Sequence, residues 1–105
     1  MGAVRKEFEM PIPDILVAHR AEILRIATKY GAQKVRIFGS MARGDSQPNS
    51  DVDFLVELDE QRSLMDLGGM LSELEALLGR KVDLVEPDGL HRLIRDRVLA
   101  EAVAL

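Results

Sequence analysis

The stretch Asp51 to Leu58, DVDFLVEL, alternates with a period of two, which places Val52, Phe54, Val56 and Leu58 on one face of a strand and Asp51, Asp53, Leu55 and Glu57 on the other. A strand with a wholly apolar face needs another layer to cover it. Lys34 to Phe38 is a second short β-branched run ending at Gly39, and Lys81 to Glu86 a third, with Val82 and Leu84 on one face. Between these runs the apolar spacing is helical. Asp14 to Tyr30 carries Leu16, Ile23, Ala27 and Tyr30, a stripe interrupted by Arg20 and closed by Gly31. Gly39 to Gly44 (GSMARG) reads as a turn opening a short helix, and Asp45 to Ser50 (DSQPNS) as a loop. Ser63 and Asp66 form a weaker relative of a capping box ahead of Leu67, Leu71, Leu74 and Leu78, and Gly79 ends that helix. Gly68-Gly69 inside it conflicts with helix propensity, at ~1 kcal/mol per glycine relative to alanine. After a turn at Pro87-Asp88-Gly89, the stripe Leu90, Ile94, Val98, Ala102 and Leu105 predicts one final helix from Leu90 to Leu105. The expected fold class is α/β, a small sheet layered with about four helices.

At 105 residues the chain is expected to form one domain, residues 11–105, after a loosely held lead-in of residues 1–10. A net charge of −4 supplies no overall positive field, so nucleic acid is not an expected partner and an anionic substrate needs a local device. The absence of cysteine excludes disulfides, thiolate catalysis and Cys-based zinc sites. No apolar run approaches the length of a membrane span and no signal-peptide core precedes the first helix, which predicts a cytoplasmic protein without a membrane partner. Met1-Gly2 is not read as a myristoylation signal, because Lys6 stands where Ser or Thr is required.

Asp51 and Asp53, two apart on a strand, project from one face with Cα atoms roughly 6 to 7 Å apart. Such a pair suits a hard divalent cation such as Mg²⁺, although D-x-D is also common at solvated strand starts. Asp83 lies within the apolar run VDLV, and strand parity turns it away from the Val82 and Leu84 face. It is expected to be buried or half-buried without a charge partner, which favours a metal or a catalytic proton, unless β-edge exposure lets it face water. Gly39-Ser40 after a strand allows a sharp turn whose amides, with the Ser40 hydroxyl, can receive an anion. The spacing of Gly39 to Ser46 imitates a P-loop, but Asp45 replaces the lysine that faces the phosphates, so that reading fails. His19 and His91 are left outside the site, and Arg92, Arg95 and Arg97 are read as a solvated face that could also meet an acidic partner.

A phosphate turn after one strand, a carboxylate pair on the next and a third carboxylate on another describe a metal-assisted phosphoryl or nucleotidyl transfer site. The run GSMARGDSQPNSDVDFLVEL resembles the G-S-x-A-R-G and S-D-x-D signature of the nucleotidyltransferase superfamily that includes DNA polymerase β. In length and motif it is most similar to the minimal nucleotidyltransferase (MNT) family, and the similarity runs from about Asp14 to Leu105. The resemblance implies a mixed β-sheet of the nucleotidyltransferase fold. It also implies that Gly39 and Ser40 hold a nucleoside triphosphate, that Asp51 and Asp53 bind Mg²⁺, and that Asp83 completes the triad and assists the attacking hydroxyl. Arg43 belongs to the pattern as a phosphate contact, while pairing with a nearby carboxylate is the alternative. The implied reaction is transfer of AMP from ATP to a hydroxyl of a docked protein, in the role of an antitoxin paired with a HEPN-domain toxin. Two other readings stay open: a binding module that neutralises its partner by complex formation, and transfer to a small molecule of the aminoglycoside type. Homo-oligomerisation is left open as well.

Overall fold

The computed structural model describes residues 13–47 and 49–105; the proposed lead-in at residues 1–10 lies outside them. The elements run α1 (Asp14–Ala18), α2 (Arg20–Lys29), β1 (Ala32–Phe38), α3 (Ser40–Arg43), β2 (Val52–Leu58), α4 (Leu64–Leu78), β3 (Val82–Val85), a 3₁₀ turn (Pro87–Gly89), α5 (Arg92–Glu101) and β4 (Val103–Ala104). The strands form one mixed sheet in the order β3-β2-β1-β4. β1 is antiparallel to β2 and β4, and β2 is parallel to β3, as a crossover through α4 requires.

The face of β2 that carries Val52, Phe54 and Val56 is fully buried, joined by Ile37 of β1 and by Leu16, Ile23, Ala27, Met70, Leu74 and Leu78 from the helices. The period-two reading of DVDFLVEL thus fixes which face meets the helical layer. Leu55, on the opposite face, is also fully buried.

Two expectations need correction. The single helix Asp14 to Tyr30 is two helices that meet at His19 (φ −109°, ψ 13°). The His19 Nδ1 donates to the Ile15 carbonyl at 2.9 Å while the His19 carbonyl accepts from Ile23 N–H, so this residue closes one helix and opens the next. The final helix stops at Glu101 instead of running to Leu105. Ala102 turns extended (φ −64°, ψ 140°), and Val103 and Ala104 pair with Ile37 and Arg36. The open edge of β1 offers backbone partners there, the Leu105 N–H reaches the Val35 carbonyl at 3.1 Å, and Leu105 is buried in the core. The stripe assigned to that helix is correspondingly split, with Val98 buried and Ile94 exposed.

The expected cap of α4 is present as a full capping box: Ser63 Oγ accepts from Met65 N–H, and the Asp66 carboxylate accepts from Ser63 N–H at 3.0 Å. Gly69 also finds its reason. A Cβ there would lie 2.6 Å from the Tyr30 ring, so the glycine lets α4 approach the end of α2. Gly68 faces open space.

Candidate functional site

The candidate site lies where β1, β2 and β3 present their ends to one side of the sheet. Phe38, the last residue of β1, pairs with Asp53, and Gly39 follows with φ 73° and ψ −151°, a conformation essentially restricted to glycine. A Cβ on Gly39 would strike Asp53 Oδ2. Glycine is therefore required twice over, for the turn itself and for the carboxylate against it. Ser40 begins the four-residue α3, whose Met41 and Ala42 are buried and fasten the turn to the core.

Asp53 and Asp83 are direct partners in the parallel register of β2 and β3. The flanking pairs, Val52 with Val82 and Phe54 with Leu84, face the core, so both aspartates share the opposite face. Asp51 stands one residue before β2 and is exposed. Partial burial raises the Asp53 pKa first, and repulsion from Asp83 and Asp51 adds to it; Arg43 opposes the shift and Glu101 reinforces it.

Asp83 contradicts its expected burial: it is exposed, because β3 is an edge strand and this face of it is left open to solvent. The parity argument holds, while the argument from an uncompensated buried charge falls away. What remains for Asp83 is position, beside Asp53. The side chains of the three aspartates do not converge into a ready-made cage; among the described residues no group of three or more acidic or imidazole side chains is placed to hold a metal ion. A concave space of about 300 Å³ lies elsewhere, lined by Glu57, Glu86, Pro87, Asp88, Arg95 and Leu99. That space carries none of Gly39, Ser40, Asp51, Asp53 and Asp83.

Arg43 takes the carboxylate-pairing alternative: its Nε meets Asp45 at 3.3 Å and its Nη1 meets Glu101 at 3.2 Å. Asp45, the residue that ruled out the P-loop, is thus a partner of the arginine. Glu101 went unnoticed in the sequence. Its other oxygen accepts the Gly39 N–H at 2.7 Å, across 62 positions of chain, and an acid at the end of a helix gives no local sign of such a contact. His91 caps α5 by accepting from Leu93 N–H, and His19 serves the helix junction. Arg92, Arg95 and Arg97 are all exposed, in keeping with a solvated face.

A glycine turn packed on a carboxylate, with a second carboxylate in register beside it, agrees with what the resemblance to the nucleotidyltransferase superfamily implies. The sequence pattern of the nucleotidyltransferase domain family matches residues 20–105, and the chain belongs to that family. It is similar to the protein adenylyltransferase MntA of Thermococcus cleftensis, with 40% identity over 92 residues, spanning 88% of this chain and 90% of that protein. A Methanocaldococcus jannaschii protein named as a candidate protein adenylyltransferase is 43% identical over 84 residues, 80% of this chain and 90% of its own. Among solved structures, one described as a candidate minimal nucleotidyltransferase superposes with a TM-score of 0.81 at 40% identity, covering 92% of this chain and 99% of that one. The chain is a nucleotidyltransferase with the minimal nucleotidyltransferase fold. Among the described residues, no helix is long and apolar enough to cross a membrane.

Proposed function

We propose that this enzyme transfers AMP from ATP to a hydroxyl group of a partner protein in a Mg²⁺-dependent reaction, and that it acts as the antitoxin of a HEPN-domain toxin. The observation that carries the reading is the contact of the Gly39 turn with the Asp53 carboxylate, with Asp83 in register at its side. Adenylyl transfer to protein is supported by the names of two relatives at 40% identity or above. The toxin partner rests on the resemblance to the MNT family.

In this reading Gly39, Ser40 and Arg43 receive the triphosphate. Asp51, Asp53 and Asp83 supply hard oxygen donors, and their chemistry fits Mg²⁺, which takes one or two carboxylates and leaves its other positions to water and phosphate oxygens; a complete protein cage is not needed. The bound cation would offset the charge of the triphosphate and of the transition state. Asp53, raised in pKa first by partial burial and then by repulsion from Asp83 and Asp51, has an ionised form that a cation would stabilise. Asp83 accepts the proton of the acceptor hydroxyl as its oxygen bonds to the α-phosphorus. The bond from the α-phosphorus to the bridging oxygen breaks, and pyrophosphate leaves. The exposure of Asp83 suits this role, because an acceptor side chain on another protein can reach it from outside.

The test is incubation with the HEPN-domain protein proposed as its partner and ATP labelled at the α-phosphate. Label should appear on the partner, dependent on Mg²⁺, in whole AMP units by intact mass. Label arriving from the γ-phosphate would identify a kinase-type reaction and remove the reading. A tight, inhibitory complex that forms without label would replace it with stoichiometric binding.

A further inference from the structure

Glu101 sits where the nucleotide reading places phosphate. One of its oxygens accepts the Gly39 N–H at 2.7 Å and the other meets the Arg43 guanidinium at 3.2 Å. The turn's buried glycine amide and its one guanidinium are thus both held by a single acid from the far end of the chain.

We propose that Glu101 is an intramolecular competitor of the nucleotide, a carboxylate that occupies the Gly39 amide and Arg43 in the ligand-free enzyme and turns away when phosphates bind. The proposal rests on the nucleotide reading of the Gly39 turn. Carboxylate and phosphate oxygens seek the same charge-assisted donors, and one N–H serves one strong acceptor at a time. The two occupancies are therefore exclusive at Gly39.

The geometry makes exchange easy. About half of the Arg43 side chain is exposed while Glu101 is mostly buried, so water screens the ion pair from the arginine side. Arg43 keeps Asp45 as a second partner when Glu101 leaves. The backbone after Glu101 is anchored, since Val103 and Ala104 are paired with β1, so release is a side-chain rotation that leaves the sheet intact. The competitor also sets a threshold. An oriented amide beside a free guanidinium would attract any small anion, whereas displacing Glu101 favours ligands that bring several phosphates and a cation together.

Titration calorimetry with Mg²⁺ and α,β-methylene-ATP, whose α–β bridge this reaction cannot cleave, decides the matter, using the unmodified chain, Glu101→Gln, Glu101→Ala, Arg43→Ala and the double variant Arg43→Ala/Glu101→Gln. Both Glu101 variants should bind roughly two- to ten-fold more tightly, the range expected for losing a screened pair and one charge-assisted contact. In the Arg43→Ala background the gain should shrink, because the contest for the guanidinium is gone. Glu101→Gln retains an acceptor for Gly39, so it reports even if Glu101→Ala fails to fold. Unchanged or weaker binding in Glu101→Gln, with the unmodified chain binding, overturns the competitor role and leaves the nucleotide site standing. Absence of binding in every variant overturns both.

Discussion

Two charged clusters in this molecule are built in opposite ways. On the helical side, Glu73 of α4 receives the Lys29 ammonium at 2.8 Å and a hydrogen bond from the Tyr30 hydroxyl, and both partners hold its carboxyl below the usual range. At the open end of the sheet, Asp53 feels the charges of Asp83, Asp51 and Glu101 against that of Arg43 alone, and it is pushed above the usual range. The first cluster is internally satisfied and fastens α2 to α4. The second carries surplus negative charge that nothing in the described residues neutralises. Local interactions that disagree with one another in an otherwise consistent fold mark the place where a ligand completes the balance.

The contrast can be broken most severely by chemistry. Asp51→Asn or Asp53→Asn should lower AMP transfer on the order of 10²-fold or more while the far-ultraviolet circular dichroism stays unchanged. Near-normal transfer in both variants would make the pair structural, like Glu73. Next in size is a helix test. Gly69→Ala should lower the melting temperature, since overpacking against the Tyr30 ring costs about 1–3 kcal/mol, whereas Gly68→Ala, facing open space, should stabilise by about 0.5–1 kcal/mol. A rise in both would mean that Tyr30 swings aside freely.

A smaller effect concerns pH. Because the folded pKa of Asp53 is raised, its protonated form is favoured by folding, and that stability is lost as pH rises through the folded value. Asp53→Asn should therefore melt higher than the unmodified chain at neutral pH without metal, and the gap should close as pH falls towards the ordinary aspartate value of 3.8. A gap that persists in acid would point to a cause other than charge. The smallest effect is assigned to Glu73→Gln, which should shift the melting temperature slightly and leave transfer untouched, because an exposed pair contributes little.

Much of this arrangement was legible in the residues. Alternation in DVDFLVEL orients Asp53 away from the core, and the Gly39-Ser40 pair after a β-branched run locates the turn. What was not legible depends on neighbours distant in the chain. Nothing between Arg92 and Leu105 breaks a helix, and two residues are too few to show strand alternation, so β4 becomes visible only once β1 offers an edge. The exposure of Asp83 follows from β3 lying at the margin of the sheet, a fact of topology. Glu101 acts through Gly39 across most of the sequence, and Gly69 through Tyr30, neither of which a local pattern records.

The parallel pairing of β2 with β3 carries a consequence for how such a protein tolerates insertion and deletion. Asp83 faces Asp53 only because three residues, Gly79 to Lys81, join α4 to β3. Loss or gain of one residue there would slide the strand by a single step and deliver Val82 or Leu84 to the face that Asp83 now occupies. The core would receive the aspartate in exchange. Length changes in this connector are thus excluded by folding and by chemistry at once, while residues 45–47 and 49–50 carry no strand register, and extra residues are absorbed more easily there.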